Sequence, residues 1–340
     1  MTQKELQIML KSENRITWRT SPMPMSMSIW LLAAVLSSCA WIGRQATITY
    51  FAVDSKFKPK HVKIEVHTDF VERFRNRVQI RAKFTVDKAM GSPLPNPIDG
   101  DLHFAGRSPQ VALPVVAEIA NASKQKAAVD MVHAADSSGR ALQITGMWRI
   151  WPEHASSGEE KQGKPLKPLD SDTPDHVFEI HPVTRINHLS TVSSFTTVDG
   201  FKAGGADRTF EIYQKAKCTI SVDSNTVKIV AETGLYNDVE FIMEISGPQS
   251  KVSDGRFVPA AAFNLDGKLM VDHLRMVLAE GTPPEIAVRR LKKGDRLHVY
   301  GIPRIDFSEV WRRIQEPPKR DKDDEEPLPY EIEILGVYTK

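Results

Sequence analysis

Alternation of apolar and polar residues dominates the chain beyond residue 60. His61-Val-Lys-Ile-Glu-Val-His67 has the two-residue period of a half-buried strand, and Arg77-Val-Gln-Ile-Arg-Ala-Lys-Phe-Thr-Val86 repeats it. Residues 101–106 and 111–119 read as two further strands. Residues 91–98, Gly-Ser-Pro-Leu-Pro-Asn-Pro-Ile, form a loop, because prolines cannot donate to a strand ladder. Residues 123–135 bring Ala127, Ala128, Met131, Val132 and Ala135 near helical spacing, with Asn121 as the expected cap and Ser137-Ser138-Gly139 as the end. Strands follow at 141–151 and 177–186, separated by a polar Pro/Gly/Lys-rich insertion at 155–175.

Strands, a helix, then two more strands resemble the OB-fold, a five-stranded barrel with its helix between the third and fourth strands. A repeat strengthens this reading. Leu142-Gln-Ile-Thr-Gly-Met-Trp-Arg-Ile150 and Leu297-His-Val-Tyr-Gly-Ile-Pro-Arg-Ile305 share the form apolar-x-apolar-x-Gly-apolar-x-Arg-Ile. A polar stretch follows each, 155–175 and 315–327. Each pair then closes on aromatic-Glu-Ile, Phe178-Glu-Ile and Tyr330-Glu-Ile, at offsets of 155 and 152 residues. A helix-like segment at 283–291 and the turn Lys293-Gly294-Asp295 precede the second copy. The expected fold is therefore mostly β with minor α: two OB-like five-stranded barrels in tandem, each with a short helix. Barrel 1 spans 60–190 and barrel 2 spans 205–340, and the glycine of each repeat bends its strand at a barrel corner. One continuous antiparallel sandwich is the alternative.

The strongest apolar run, Ile29-Trp-Leu-Leu-Ala-Ala-Val-Leu36, is far shorter than the roughly 20 residues of a membrane-crossing helix. It suits the apolar segment of an export signal, with Arg15 and Arg19 upstream. Leu36-Ser-Ser-Cys39 resembles a bacterial lipobox, which implies a signal over 1–38, lipidation of Cys39 and a tether with a first strand over 39–59. Ala40 fits the outer-membrane sorting pattern of that class. A lipidated Cys39 leaves Cys218 without a disulfide partner, as a small strand residue. The expected address is exported, periplasm or outer membrane, with the membrane reached through an N-terminal lipid anchor. The whole chain has 45 Lys+Arg against 43 Asp+Glu, and the part after residue 38 balances to zero, which argues against nucleic acid as a partner.

Candidate chemistry concentrates in the first half. Asp99, Asp101 and His103 alternate, so an extended chain projects them from one face; Glu179 and His181 do the same. Glu118 and the pair Glu153-His154 end nearby strands. Imidazoles with carboxylates form an ordinary zinc-type ligand set, so Asp99, Asp101, His103, Glu179 and His181 are metal candidates. The same groups suit acid–base work, or hydrogen bonds that tie loops to the barrel. Trp148 and Trp151 lie three apart, so one is expected in the core and the other outward, where beside Arg149 it suits stacking on a sugar or base. The candidate ligand site is thus Asp101, His103, Trp148, Arg149, Trp151, Glu153, His154 and His181. No cofactor is expected beyond a divalent metal. Residues 54–88 hold ten Lys/Arg against five Asp/Glu with Phe70, Phe74 and Phe84 interleaved, which suits a polyanion, anionic lipid head groups, or a solvated strand face.

The combination Asp99-Gly-Asp-Leu-His103, Ala117-Glu-Ile119, Gly146-Met-Trp-Arg-Ile-Trp-Pro-Glu-His154 and Phe178-Glu-Ile-His-Pro-Val183 resembles a tandem OB-fold-like module of uncharacterised bacterial envelope lipoproteins. The resemblance covers about 100 residues and implies no particular reaction. The second half departs from it, with Glu333 where His181 stands and Pro303 where Trp148 stands, so a site built on the motif belongs to the first barrel. Three functions follow as expectations: a ligand-binding or interaction module, a metal-dependent hydrolase using the His/acidic cluster, or a structural envelope protein.

Overall fold

The computed structural model describes residues 60–94, 98–155, 158–316 and 324–338. The expected signal and Cys39 lie outside them. From the start, β1 (His61–His67) leads into α1 (Thr68–Phe74). The strands β2 (Gln79–Ala89), β3 (Leu102–Arg107) and β4 (Pro114–Ile119) precede α2 (Lys126–Ser138), and β5 (Leu142–Ile150), β6 (Gly158–Lys161), β7 (Phe178–Ile186) and β8 (Leu189–Ser190) complete the first half. The second half opens with α3 (Ala206–Lys215), β9 (Lys217–Asp223) and β10 (Thr226–Glu232), followed by β11 (Val239–Ile245), β12 (Ser250–Val252), β13 (Gly255–Phe263) and β14 (Leu269–Ala279). It ends with α4 (Pro283–Val288), β15 (Arg296–Ile305), α5 (Phe307–Gln315), β16 (Glu326–Pro327) and β17 (Tyr330–Val337). No helix among the described residues is long and apolar enough to cross a membrane.

Two closed five-stranded barrels result. In the first, β2, β3, β4, β7 and β5 pair in a ring closed by the parallel β4–β7 seam, and in the second β11, β13, β14, β17 and β15 do the same with a parallel β14–β17 seam. This is the OB connectivity, with α2 and α4 at equivalent positions. The repeated glycines sit at register shifts of equivalent strands. A Cβ on Gly146 would lie 2.7 Å from the Pro182 carbonyl oxygen, and one on Gly301 would lie 2.8 Å from Ile332, so neither strand can bend against its neighbour with a side chain there. Helix α2 starts later than its sequence suggests. Asn121 has φ 47° and makes no side-chain cap, while Gly139 ends the helix at φ 65° as expected.

Residues 61–67 form a strand but not a barrel strand. They pair with β10 in a third sheet, ordered β16-β9-β10-β1-β6, that draws on both halves of the chain. Its two edge strands come from the long excursions between the last two strands of each barrel: β6 from the first and β16 from the second. The polar stretches at 155–175 and 315–327 therefore each contribute an edge strand to one shared sheet. Glu65, buried in it, is held by Lys63 at 2.6 Å and Lys161 at 2.9 Å.

The barrels meet through their outer faces. Val78, Met147 and Phe195 pack with Phe257, Val277 and Ala279. At the centre are the two repeat arginines, both fully buried. Arg149 Nε donates to the Pro303 carbonyl at 2.7 Å, and Arg304 Nη1 donates to the Trp148 carbonyl at 3.0 Å. Each arginine thus caps the residue preceding its counterpart. Arg304 also donates to Glu331 at 2.7 Å and Glu333 at 2.8 Å, and its guanidinium lies 3.9 Å over the Trp148 ring.

Two outcomes follow. Arg304→Ala leaves Glu333 buried without its counter-charge and should lower stability by about 3–5 kcal/mol in urea unfolding; a loss below about 1 kcal/mol would remove the arginine pair as the centre of the interface. Glu65 is brought to about 2 by hydrogen bonds from Lys63 and Lys161. Its folded value lies below its unfolded one, so its contribution is complete above about pH 4.5 and is lost as pH falls toward 2. Wild type should therefore exceed Glu65→Gln in stability at pH 6, and the gap should close on acidification.

Candidate functional site

Strand alternation sorts the first barrel's residues. Leu102 and Phe104, Ala117 and Ile119, Phe178 and Ile180, and Ile150 are buried apolar residues on one side of their strands, while the Trp148 ring packs on Phe74 and Phe307. His103, Glu118, Glu179 with His181, and Arg149 stand on the opposite face of β3, β4, β7 and β5. Register aligns them: His103 pairs with Glu118, and Arg149 pairs with Glu179. The seam pairs Ala117 with Ile180, so Glu118 and His181 come together one step beyond the last seam pair. A file of alternating charge therefore crosses four strands. Packing of the second barrel removes most of it from water.

His181 sits at the middle, 5% exposed. Its Nε2 is 3.3 Å from Asp101 Oδ2, and its Nδ1 is 3.4 Å from Glu179 Oε2 and 3.5 Å from Glu118 Oε2. The imidazole is thus ion-paired on both sides, with its ring N–H directions outside hydrogen-bond geometry. His103 Nε2 lies 3.2 Å from Glu118 Oε2. The surrounding groups are well fixed. Asp101 Oδ1 accepts from the Asn121 amide at 2.8 Å, Arg149 Nη1 donates to Glu179 Oε2 at 2.6 Å, and His176 Nε2 lies 3.2 Å from Glu179 Oε1.

Burial and pairing compete throughout. Burial pushes Asp101 up to about 6 although His181 opposes it. Burial also opposes ionisation of Glu118, yet His103 and His181 bring it to about 2. Burial disfavours the His103 imidazolium, but Glu118 lifts it to about 9. His181 likewise rises well above its ordinary value, with Glu118 and Asp101 outweighing burial. At the outer end, burial raises Glu153 to about 8 against Arg149.

Asp101, Glu118 and His181 can each offer one donor atom with all three within 4.8 Å of one another, the one such His/Cys/Asp/Glu group among the described residues. Of the candidates named from sequence, Asp101, His103, Glu179, His181 and Arg149 come together here. Asp99 flanks them by accepting from the Asp101 amide at 3.1 Å. Glu153 and His154 lie at the outer end, where Glu153 Oε2 is 3.4 Å from Arg149 and the His154 ring stacks on His176 at 5.1 Å.

The tryptophans do not belong to the site. Trp148 and Trp151 are 0% and 2% exposed, and their indole N–H groups donate to the Arg77 and Tyr236 carbonyls. No stacking surface forms beside the fully buried Arg149. Three arginines of the basic run have partners within the protein: Arg73 lies 5.0 Å over Phe74, Arg75 lies 5.0 Å over Trp311, and Arg77 pairs with Asp254 at 3.0 Å. His176 emerges as a residue that spacing does not single out, and Glu118, expected only at the end of a nearby strand, meets His181 because of the closing seam. No protein-family model and no curated protein matches the chain.

Proposed function

We propose that this chain is a binding module, not a hydrolase, that holds a divalent cation on the buried face of its first barrel. One observation carries the reading: three carboxylates converge on the ring nitrogens of the buried His181 at 3.3–3.5 Å, and Asp101, Glu118 and His181 each offer a donor atom within 4.8 Å of the others. Buried carboxylates are normally paired with cations or bound to a metal, and this cluster offers both kinds of donor. Glu118 and His181 stand on β4 and β7, and Asp101 immediately precedes β3, so the closed barrel holds all three in place. Asp101, Glu118 and His181 are all buried, which suits a closed, retained ion better than a centre that must admit a substrate.

The address belongs to the same proposal. Leu36-Ser-Ser-Cys39 supports export and lipid anchoring through Cys39, which would place the barrels at a membrane surface in the cell envelope.

Two experiments test these parts. The untagged full chain, equilibrated with a mixture of divalent cations and desalted, should retain about one ion per chain by elemental analysis. Asp101→Asn and Glu118→Gln should each lose it with an unchanged circular dichroism spectrum; a wild-type protein that retains none overturns the reading. Cys39→Ala should abolish incorporation of labelled palmitate and release the protein from membranes, whereas an unlabelled wild type removes the anchor.

A further inference from the structure

Away from the buried cluster, a surface groove of about 370 Å³ separates β6 from the segment Lys164-Pro-Leu-Lys-Pro-Leu-Asp170. Prolines 165 and 168 have no amide donors, so this segment cannot close onto β6 as a further strand and stands off as a wall. Pro114, Pro165, Leu166, Pro168 and Leu169 make the walls apolar, and β6 forms one side. We propose that the groove docks an extended peptide of a partner protein, added as a strand to the open edge of β6, with a lysine or arginine side chain reaching Glu160. This docking does not depend on a bound cation.

The backbone supplies the first part of the argument. β6 is the outermost strand of the third sheet and pairs on one side only, with β1. The Gln162 amide donates to the Glu65 carbonyl at 2.8 Å, so by alternation Glu160 and Gln162 turn their main-chain groups toward β1. Glu159 and Lys161 turn theirs outward. The Lys161 carbonyl accepts from the Lys164 amide at 3.3 Å, whereas the Glu159 N–H and C=O and the Lys161 N–H have no partner among the described residues. An antiparallel peptide residue facing Glu159 can exchange two hydrogen bonds with it, the mode in which sheet edges take up extended peptides. The sheet's other edge is closed to such addition. Pro327 of β16 has no N–H, and its carbonyl accepts from Arg313 at 3.0 Å.

Glu160 sets the chemistry. It lines the groove and makes no hydrogen bond or ion pair among the described residues. Its neighbours on β6 are paired, Glu159 with Lys63 at 2.8 Å and Lys161 with Glu65 at 2.9 Å. Burial holds the Glu160 carboxyl above its ordinary value, although His176 and Lys164 oppose this. A cation beside it would therefore meet an unpaired, partly desolvated carboxylate, where attraction exceeds that at a fully hydrated site. A strand residue opposite Glu160 projects from the same face, within cross-strand reach of it. Residues two positions to either side share that face, so the fitting peptide places apolar side chains there, against the proline and leucine walls.

The groove is also preformed. The Gly163 amide donates to the Ala112 carbonyl at 2.9 Å, and Gln162 Nε2 donates to the Val111 carbonyl at 2.8 Å. Beyond the prolines, the Leu169 amide donates to Asp87 Oδ2 at 3.1 Å, and Arg107 holds Asp87 at 2.7 and 2.8 Å. Both ends of the wall are thus tied to the first barrel, and binding need not order it.

The test selects random decapeptides displayed on phage against the untagged full chain. Peptides with a basic residue flanked two positions away by apolar ones should be enriched. For the tightest of them, made as a free peptide, Glu160→Gln and replacement of the basic residue by alanine should each weaken binding about fivefold, and together no more than either alone. Glu159→Pro removes an outward N–H while sparing the pairing with β1, and should abolish binding with an unchanged circular dichroism spectrum. Leu166→Asp should do the same and serves where the proline variant fails to fold. No enriched pattern, an acidic residue at the central position, or binding insensitive to Glu160→Gln overturns the proposal.

Discussion

Two guanidinium groups in a dry interface govern how this molecule is put together. Arg149 and Arg304 each need several acceptors, because a buried cation without partners costs several kcal/mol. Each takes one acceptor from the other barrel, the carbonyl just before its counterpart. That exchange works only if strands β5 and β15 cross in one relative position. It therefore fixes which outer face of the first barrel lies against the second, and with it which polar residues are buried.

The same position in the two barrels meets burial in different ways. In the second, Glu331 and Glu333 both accept from Arg304, at 2.7 and 2.8 Å. In the first, Arg149 serves Glu179, and the residue two further on is His181, a donor–acceptor ring facing Asp101 and Glu118. One barrel resolves its buried charge by ion pairing within the protein. The other gathers imidazole nitrogens and carboxylate oxygens 3.2–3.5 Å apart. A duplicated hairpin has thus been tuned to two ends, with one copy holding the assembly together and the other carrying the site.

Much of this was legible in the chain, and the parts that were not share a cause. The glycine-bent repeat and the helix between strands announced two barrels, because bends and periodicities are local. The role of Glu118 was not legible, since it depends on a seam joining residues about sixty positions apart. The alternation of residues 61–67 showed a strand but not its partner, β10, which lies far along the chain. The expected outward exposure of one tryptophan failed because that side of the chain is covered: the Trp151 ring lies 5.5 Å from Tyr213 of α3, and its indole N–H donates to the Tyr236 carbonyl. Spacing reports which side of a strand a residue takes; it does not report what lies against that side.

Burial by the second barrel also bears on what the site can do. An exposed cluster of the same residues would be screened and hydrated, and its attraction for a cation would be weak. Here Asp101, Glu118 and His181 are all buried, and charges interact more strongly away from water. The exclusion that makes the donors effective also leaves little space for a substrate beside them. Affinity for a small ion and access for a large ligand are opposed demands on one site, and the tight packing of barrel on barrel favours the first.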